Sequence, residues 1–372
     1  MNVWLTYGLI AVILLIAELI YFRIADKCNI IDKPNGRSSH SSIVVRGGGV
    51  IFAISMLVWA ILMVVQGVQG VQGVQGVQGV QGVQGVQSYL PFMIGLVIIC
   101  TVSFWDDVKS LPVSVRLVVQ FTAMGLMLYQ LIIDNGQLNI EHWWGCMLLL
   151  LAALIVCVGA TNIINFMDGI NGITAGYALA VILPLIVKNE ELRVKNFEEF
   201  IDESYLIVVM IGVLVFCIFN FRPKGKAKCF AGDVGSIGIA FIMLFAIGKL
   251  ILATNDVTWL IFLLVYGVDG CCTIIHRMML HENLGEAHRK HAFQLMANEL
   301  KMGHMTVSLI YMGLQLAVSL GFIYLIPNTI VAHWIYSIVV GLLLVCAYLL
   351  FMGKYYHLHE EYLASLKIKF KG

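Results

Sequence analysis

The side chains able to do chemistry in this chain fall into a few short clusters. Phe104-Trp105-Asp106-Asp107-Val108-Lys109 closes an apolar run. Two adjacent carboxylates in a low-dielectric setting do not both ionise cheaply without a cation or a shared proton. The pair suits a Mg²⁺–phosphate site or a general base, and a solvated pair at a helix end is the plainer alternative. In the next cluster Asn162, Asn165 and Asp168 stand at i, i+3 and i+6, close to one face if a helix continues through them. Gly169 and Gly172 let the backbone beyond them turn sharply and approach a ligand.

Ala231-Gly232-Asp233-Val234-Gly235-Ser236 opens another apolar run, just after the basic stretch 222–228. A carboxylate beside glycine-exposed N–H groups at a helix N-terminus can hold a metal ion next to a phosphate, or can simply cap the helix. His288-Arg289-Lys290-His291-Ala292-Phe293-Gln294 reads as a cationic cluster fitted to phosphate oxygens. A zinc reading lacks further ligands at matching spacing. Carboxylates, amides, imidazole and guanidinium together are what Mg²⁺-assisted phosphoryl transfer requires.

These clusters need elements to hold them. Of the 372 residues, 60% are hydrophobic and only 12% charged, about half the charged share of a soluble domain. Too few charges remain to coat a globule, so most of the surface must face lipid. Secretion, disorder and nucleic-acid partners drop out. Apolar runs at about 3–22, 47–65, 88–104, 113–133, 144–164, 173–187, 204–221, 235–252, 258–275, 305–326 and 333–353 predict about 11 transmembrane helices. The fold class is therefore all-α, a polytopic integral membrane protein forming one membrane-embedded domain over 1–372. Val3–Phe22 lacks a basic leader and a cleavage site and reads as the first spanning helix. The loops after odd-numbered helices, with the C-terminal tail, carry 19 of the 23 Lys and Arg residues. The positive-inside rule then places the N-terminus outside, the C-terminus in the cytoplasm, and the polar clusters on the cytoplasmic face.

The nine cysteines show no paired or metal-ligating spacing and read as small hydrophobes. The VQG repeat at 65–87 falls in an outer loop and reads as a low-complexity insertion, with glycines opposing a stable helix. Asp269, inside the ninth apolar run, is equally readable as half of an ion pair, with Arg277 for instance, or as a functional group. Stripes facing lipid and stripes facing a second copy both read as apolar, which leaves a homodimer open.

The set DDVK, NFMDGING, GDVGS and HRKHAFQ, in this order, resembles the polyprenyl-phosphate N-acetylhexosamine-1-phosphate transferases (glycosyltransferase family 4). These are related to phospho-MurNAc-pentapeptide translocase. The resemblance runs from Ile31 to about His304. The 37–40 segment RSSH, Arg46-Gly47-Gly48-Gly49 and HRKH in place of a triple histidine resemble the branch that initiates surface polysaccharides such as lipopolysaccharide. It implies transfer of a sugar phosphate from a UDP-N-acetyl sugar to undecaprenyl phosphate at the inner membrane, with Mg²⁺, or Mn²⁺ in its place, and UMP as product. It also implies roles: Asp106 and Asp107 catalytic; Asp233 and Asn162 at the metal; Asn165, Asp168, Asn171, Arg46, His288, Arg289 and His291 on the nucleotide and phosphates. Two positions depart from the family pattern. Asn171 stands where an aspartate is usual, so it can only offer an amide to a uracil edge, and Val45 replaces a proline. A transporter is the alternative of a different class, and would put ionisable groups near the bilayer midplane in two similar halves. A CDP-alcohol phosphotransferase would need a D-G-x2-A-R signature, whereas Asp168-Gly169 is followed by Ile-Asn-Gly-Ile.

Overall fold

The computed structural model describes residues 3–32, 43–73, 89–135, 143–195, 199–285 and 288–369. The RSSH segment and positions 74–87 of the VQG repeat lie outside these residues. Among the described residues twelve helices occur in chain order: α1 (Val3–Cys28), α2 (Val50–Gly73), α3 (Leu90–Val108), α4 (Val113–Asn135), α5 (Trp143–Met167), α6 (Ile173–Val194), α7 (Glu203–Asn220), α8 (Gly232–Thr254), α9 (Leu264–Met279), α10 (Ala292–Asn298), α11 (His304–Tyr324) and α12 (Ile330–Lys369). A 3₁₀ turn, Val257–Leu263, leads into α9. The chain is thus a polytopic all-α membrane protein, as its composition implies.

Among the described residues ten helical stretches are long and apolar enough to cross a membrane, the 3₁₀ turn and α9 counting as one. The eleventh expected span corresponds to α2, whose apolar part, Val50–Val65, is shorter. The backbone of α2 nevertheless stays helical to Gly73, through the first VQG triplets. Extending an existing helix costs far less than nucleating one, which lets the first three glycines of the repeat remain in the helix.

The centre of the bundle is α8. All its residues from Val234 to Ile247 are buried, as befits a helix that is apolar all round, and α2, α3, α4, α5 and α6 surround it. Leucines 148, 149, 342 and 343, on α5 and α12, remain exposed, the pattern of a lipid-facing surface. Because lipid is as apolar as leucine, helices in a membrane associate through close packing and satisfied polar groups. Two such devices matter for the site. Tyr205 donates its hydroxyl to the Ile242 carbonyl at 3.0 Å, and Trp59 donates its indole N–H to Ser204 at 3.0 Å.

The second device is the approach of the Arg46–Gly49 loop to the start of α8. A Cβ on Gly49 would lie 2.3 Å from the Gly235 Cα. Gly49→Ala should therefore separate the loop from α8 and destabilise the protein by about 2–3 kcal/mol, the scale of an overpacked core. A thermal-melting comparison in detergent would expose this; an unchanged melting temperature would mean that the two backbones are not in contact.

Candidate active site

The loop before α2 is pinned by a small sheet. Ile31 pairs with Val45 and Asp32 with Val44 in antiparallel register. Phe230 donates its N–H to the Val45 carbonyl at 2.8 Å, while Gly48 and Gly49 donate theirs to the carbonyls of Phe230 (2.9 Å) and Ala231 (3.0 Å). Arg46-Gly47-Gly48-Gly49 is thereby laid along the segment leading into α8. Asn220, at the end of α7, ties a third strand of chain to it. Its amide donates to the Cys229 carbonyl at 2.8 Å and its oxygen accepts the Gly172 N–H at 2.7 Å.

On this frame the carboxylates of α3 and α8 converge. Asp107 accepts the N–H groups of Asp233 (2.9 Å) and Val234 (3.0 Å) and an ion pair from Arg46 Nε at 2.7 Å. It is the cap of α8, holding N–H groups that no helix can satisfy within itself. Gly232 adopts φ +70°, and a Cβ there would lie 2.5 Å from an Asp107 oxygen, so only glycine lets the carboxylate reach the helix end. The other member of the pair faces a different way. Asp106 meets Arg116 Nη1 at 3.2 Å and lines the same small cavity as Asp233. Asp233 also lies 3.7 Å from Arg46 and 3.9 Å from Arg116. Three carboxylates thus sit between two guanidinium groups. Burial works against the charge on Arg46, but Asp107, Asp233 and Asp32 more than compensate and raise its pKa above the ordinary arginine value.

Asn165 and Asp168 border this centre. Ser236, in the first turn of α8, donates its hydroxyl to the Asn165 oxygen at 2.7 Å. Asp168, just past the end of α5, accepts the Thr174 hydroxyl. Burial pushes the Asp168 carboxyl up to about 6 although Thr174 opposes the rise. The folded chain therefore holds the proton more tightly than the unfolded chain, whose carboxyl has the ordinary value of 3.8. The stability this group contributes is full below about pH 4 and declines as pH rises to about 6. Asp168→Asn should remove that slope: melting temperatures of the two proteins measured from pH 4 to 7 should diverge, and parallel curves would show that Asp168 titrates normally.

Four expected residues have other partners. Asn162 donates to Gln120 at 2.7 Å and to the Val158 carbonyl at 2.8 Å, and its oxygen faces the Gln120 amide at 3.4 Å. It braces α5 against α4. Asn171 is 2% exposed and donates its amide to the carbonyls of Arg222 and Pro223 at 2.9 and 3.0 Å, so it braces a loop and offers no amide N–H to a uracil. The cations of the HRKH segment have protein partners as well. Arg289 is paired with Glu299 at 2.8 Å and lies over the Tyr362 ring, and Lys290 is paired with Glu282. Burial, followed by the adjacent His291, pushes His288 down to about 3, so its ring is neutral. Arg277 also goes to Glu282, at 3.2 Å, and Asp269 instead meets His291. The segment nonetheless borders the site. The His288 ring meets Phe166 at 6.0 Å between centroids, and Phe293 fills the space where Gly169 would carry a Cβ.

Arg116 was not singled out from the sequence, yet it holds two of the three aspartates. A cation in the first turn of α4 opposes the helix dipole, and that misfit was the available signal. Ser236 and Thr174 gave none beyond their position inside or beside motifs.

The resemblance implies a divalent cation, and the side chains fit one. Asp106 and Asp233 bring hard oxygen atoms from two helices to the same Arg116 Nη1, at 3.2 and 3.9 Å, and together would hold a cation. Mg²⁺ is commonly held by one or two carboxylates, with substrate phosphates and water completing its shell. Among the described residues no three His, Cys, Asp or Glu side chains converge as a ready-made metal cage.

Fold and site together define a polytopic membrane protein with an arginine-clamped carboxylate centre at one end of its bundle. Residues 89–251, which hold three of the four motifs, match the model of glycosyl transferase family 4. The chain is 25% identical over 312 residues to the "Probable undecaprenyl-phosphate N-acetylglucosaminyl 1-phosphate transferase" of Bacillus subtilis, covering 80% of this chain and 78% of that one. Shorter stretches are similar to phospho-N-acetylmuramoyl-pentapeptide-transferases. With that of Thermotoga neapolitana the identity is 38% over 24% of this chain and 26% of the relative. With that of Prochlorococcus marinus (strain MIT 9301) it is 30% over 40% of each. The resemblance carried by the four motifs is borne out by these relatives.

Proposed function

We propose that the protein transfers an N-acetylhexosamine-1-phosphate from a UDP-sugar to undecaprenyl phosphate, the first membrane step of a surface polysaccharide. The observation that carries this reading is the meeting of Asp106 and Asp233 between Arg46 and Arg116, at the N-terminus of α8. An oxygen of the lipid phosphate forms a bond to the β-phosphorus of the nucleotide sugar, the bond from that phosphorus to the bridging oxygen breaks, and UMP leaves with that oxygen. Phosphoryl transfer asks for alignment and charge neutralisation more than for covalent help. A phosphate monoester is mostly ionised near pH 7, so the attacking oxygen needs no base, and Asp106 serves as a ligand-bearing carboxylate.

Asp106 and Asp233 would hold Mg²⁺, which would supply positive charge to the diphosphate. Arg46 and Arg116 release their aspartates in part and turn to the substrate oxygens. Asp107 keeps the α8 N-terminus and the Arg46 loop in register throughout. Asp168 and Asn165 line the nucleotide side. The lipid chain lies among the exposed apolar side chains of the helices, so its phosphate arrives at the level of the α3 end. In this reading the site faces the cytoplasm, where UDP-sugars are available.

A second reading, transfer of phospho-MurNAc-pentapeptide, is supported by the higher identity of the short matches to those enzymes. The HRKH segment and the long first match favour the surface-polysaccharide reaction. Membranes containing the protein should be incubated with undecaprenyl phosphate, Mg²⁺ and, in separate arms, radiolabelled UDP-N-acetylglucosamine, other UDP-N-acetyl sugars and UDP-MurNAc-pentapeptide. Label should enter the lipid phase from an N-acetyl sugar. Entry from the pentapeptide arm alone would establish the second reading, and entry from none would leave a transporter as the better account.

A further inference from the structure

The basic stretch 222–228 takes no part in the carboxylate centre, yet the fold gives it a definite shape. Just past the end of α7, Gly225 adopts φ +76° and lets the chain double back, with the Lys226 N–H donated to the Pro223 carbonyl at 3.0 Å. The returning segment runs beside Val45, to which Cys229 is bridged. Ala227 and Cys229 are buried while Lys226 and Lys228 are exposed, so the alternation of extended chain turns both lysines to one side. A cavity of about 480 Å³ lies between this segment and the Val44–Val45 strand, lined by Arg222, Lys226 and Lys228, with Asp26 of α1 at its edge. That volume is in the range of ligand pockets, and admits more than a bare ion.

The other cations around the site are already matched. Arg46, Arg116, Arg277, Arg289 and Lys290 each pair with an acidic side chain. Among the described residues no carboxylate stands within ion-pair distance of Arg222, Lys226 or Lys228. The lipid-facing surface leads into the same cavity. Leu214 and Ile218 are exposed on α7 and stand at intervals of four with Arg222, whose Nε donates to the Ile218 carbonyl at 2.8 Å. On the adjoining α1, Leu19 is exposed on the face that carries Asp26, and Phe22 joins α1 to α7 through the Phe219 ring at 4.9 Å. Apolar side chains thus form a column that ends in unmatched positive charge. A nucleotide suits the cavity poorly: among the described residues no aromatic ring to stack a base, and no side-chain amide or hydroxyl to read one, lines it.

We propose that this cavity binds an anionic membrane phospholipid, with its phosphate at Arg222, Lys226 and Lys228 and its acyl chains along Leu214, Ile218 and Leu19. Basic pockets at the ends of membrane helices take anionic headgroups in this way. Asp26 offers an acceptor to a headgroup hydroxyl. The site is separate from the carboxylate centre and does not depend on the transferase reading. It is nonetheless one residue away from that centre. Val45 lines the cavity and Arg46 pairs with Asp107, so a bound headgroup ties the strand leading to Arg46 to the 222–228 loop.

Melting of the full chain in a neutral detergent, with lipid titrated in, tests the proposal, because a ligand of the folded state raises its stability. Phosphatidylglycerol should raise the melting temperature well above the value reached with phosphatidylcholine of the same chains. Equal protection by the two lipids would overturn the proposal. In Lys226→Gln/Lys228→Gln the phosphatidylglycerol concentration giving half the effect should rise about tenfold or more, at roughly fivefold per cation near an anionic lipid. Both side chains are exposed, so this variant should melt like the wild type when no lipid is added. Lys224→Gln is the control: Lys224 belongs to the same basic run but does not line the cavity, and its variant should keep the wild-type affinity. An equal loss in Lys224→Gln would reveal only a diffuse basic loop, and no site. Inorganic phosphate and UMP, in separate arms, should give no comparable protection. Protection by either that the double variant loses would assign the cavity to a free anion or a nucleotide and overturn the lipid assignment. Undecaprenyl phosphate bound there more tightly than phosphatidylglycerol would make the cavity a substrate site and overturn it as well.

Discussion

Asp233→Asn should reduce turnover by about a hundredfold or more while leaving expression and melting temperature near wild type. The substitution keeps size and shape, and the Asp233 backbone N–H still reaches Asp107. What it removes is the carboxylate that Asp233, beside Asp106, would offer to a divalent cation. Loss of supporting groups around a metal already costs about 10–100-fold, and loss of a ligand should cost more. Rates measured across a Mg²⁺ titration provide the check. The variant should stay inactive at Mg²⁺ concentrations that saturate the wild type. A variant with ordinary turnover would remove Asp233 from the site.

Asp107→Ala should behave differently, and the contrast separates two neighbouring carboxylates that look alike in sequence. Asp107 accepts two backbone N–H groups at the head of α8 and pairs with Arg46. Its side chain is fully buried, whereas that of Arg46 is one-third exposed. Removing it strands two N–H groups and half of a largely buried ion pair, a loss of about 3 kcal/mol. The Arg46–Gly49 loop should come loose with it. Asp106→Asn, by comparison, should fold normally and lose turnover, since Asp106 meets Asp233 and Arg116 and caps no helix in another segment. Denaturation in detergent, run beside the transfer assay, distinguishes the two. An Asp107→Ala protein that melts like the wild type but does not turn over would make Asp107 a reacting group, not a brace.

That division of labour was hidden in the sequence for a physical reason. Adjacent residues on a helix point about 100° apart, so Asp106 and Asp107 must serve different neighbours, but the neighbours come from α4, α8 and the Arg46 loop. The apolar runs were legible because each helix must satisfy its backbone within itself, and composition alone reports that. The four motifs were legible because polar groups are rare in such a chain. Their contacts were not. Asn162 and Asn171 look like ligand-facing amides until Gln120 and the carbonyls of Arg222 and Pro223 are seen to occupy them. Arg289 and Lys290 look like free cations until Glu299 and Glu282 are found beside them. Charge density in a sequence counts residues, while partners 8 to 10 positions away decide how much of the charge remains for a substrate. Arg116 is the converse case, a solitary basic residue whose two aspartate partners only the fold brings near.

The central claim is the transfer of a sugar together with its phosphate, and the β-phosphorus tests it most directly. UDP-N-acetylglucosamine, or whichever UDP-N-acetyl sugar proves to be the substrate, should be labelled with phosphorus-32 at the β position and incubated with undecaprenyl phosphate and Mg²⁺. The account predicts that the label passes into the lipid phase with the sugar, in a one-to-one ratio with released, unlabelled UMP. Label remaining in water as UDP while the sugar alone enters the lipid would contradict it.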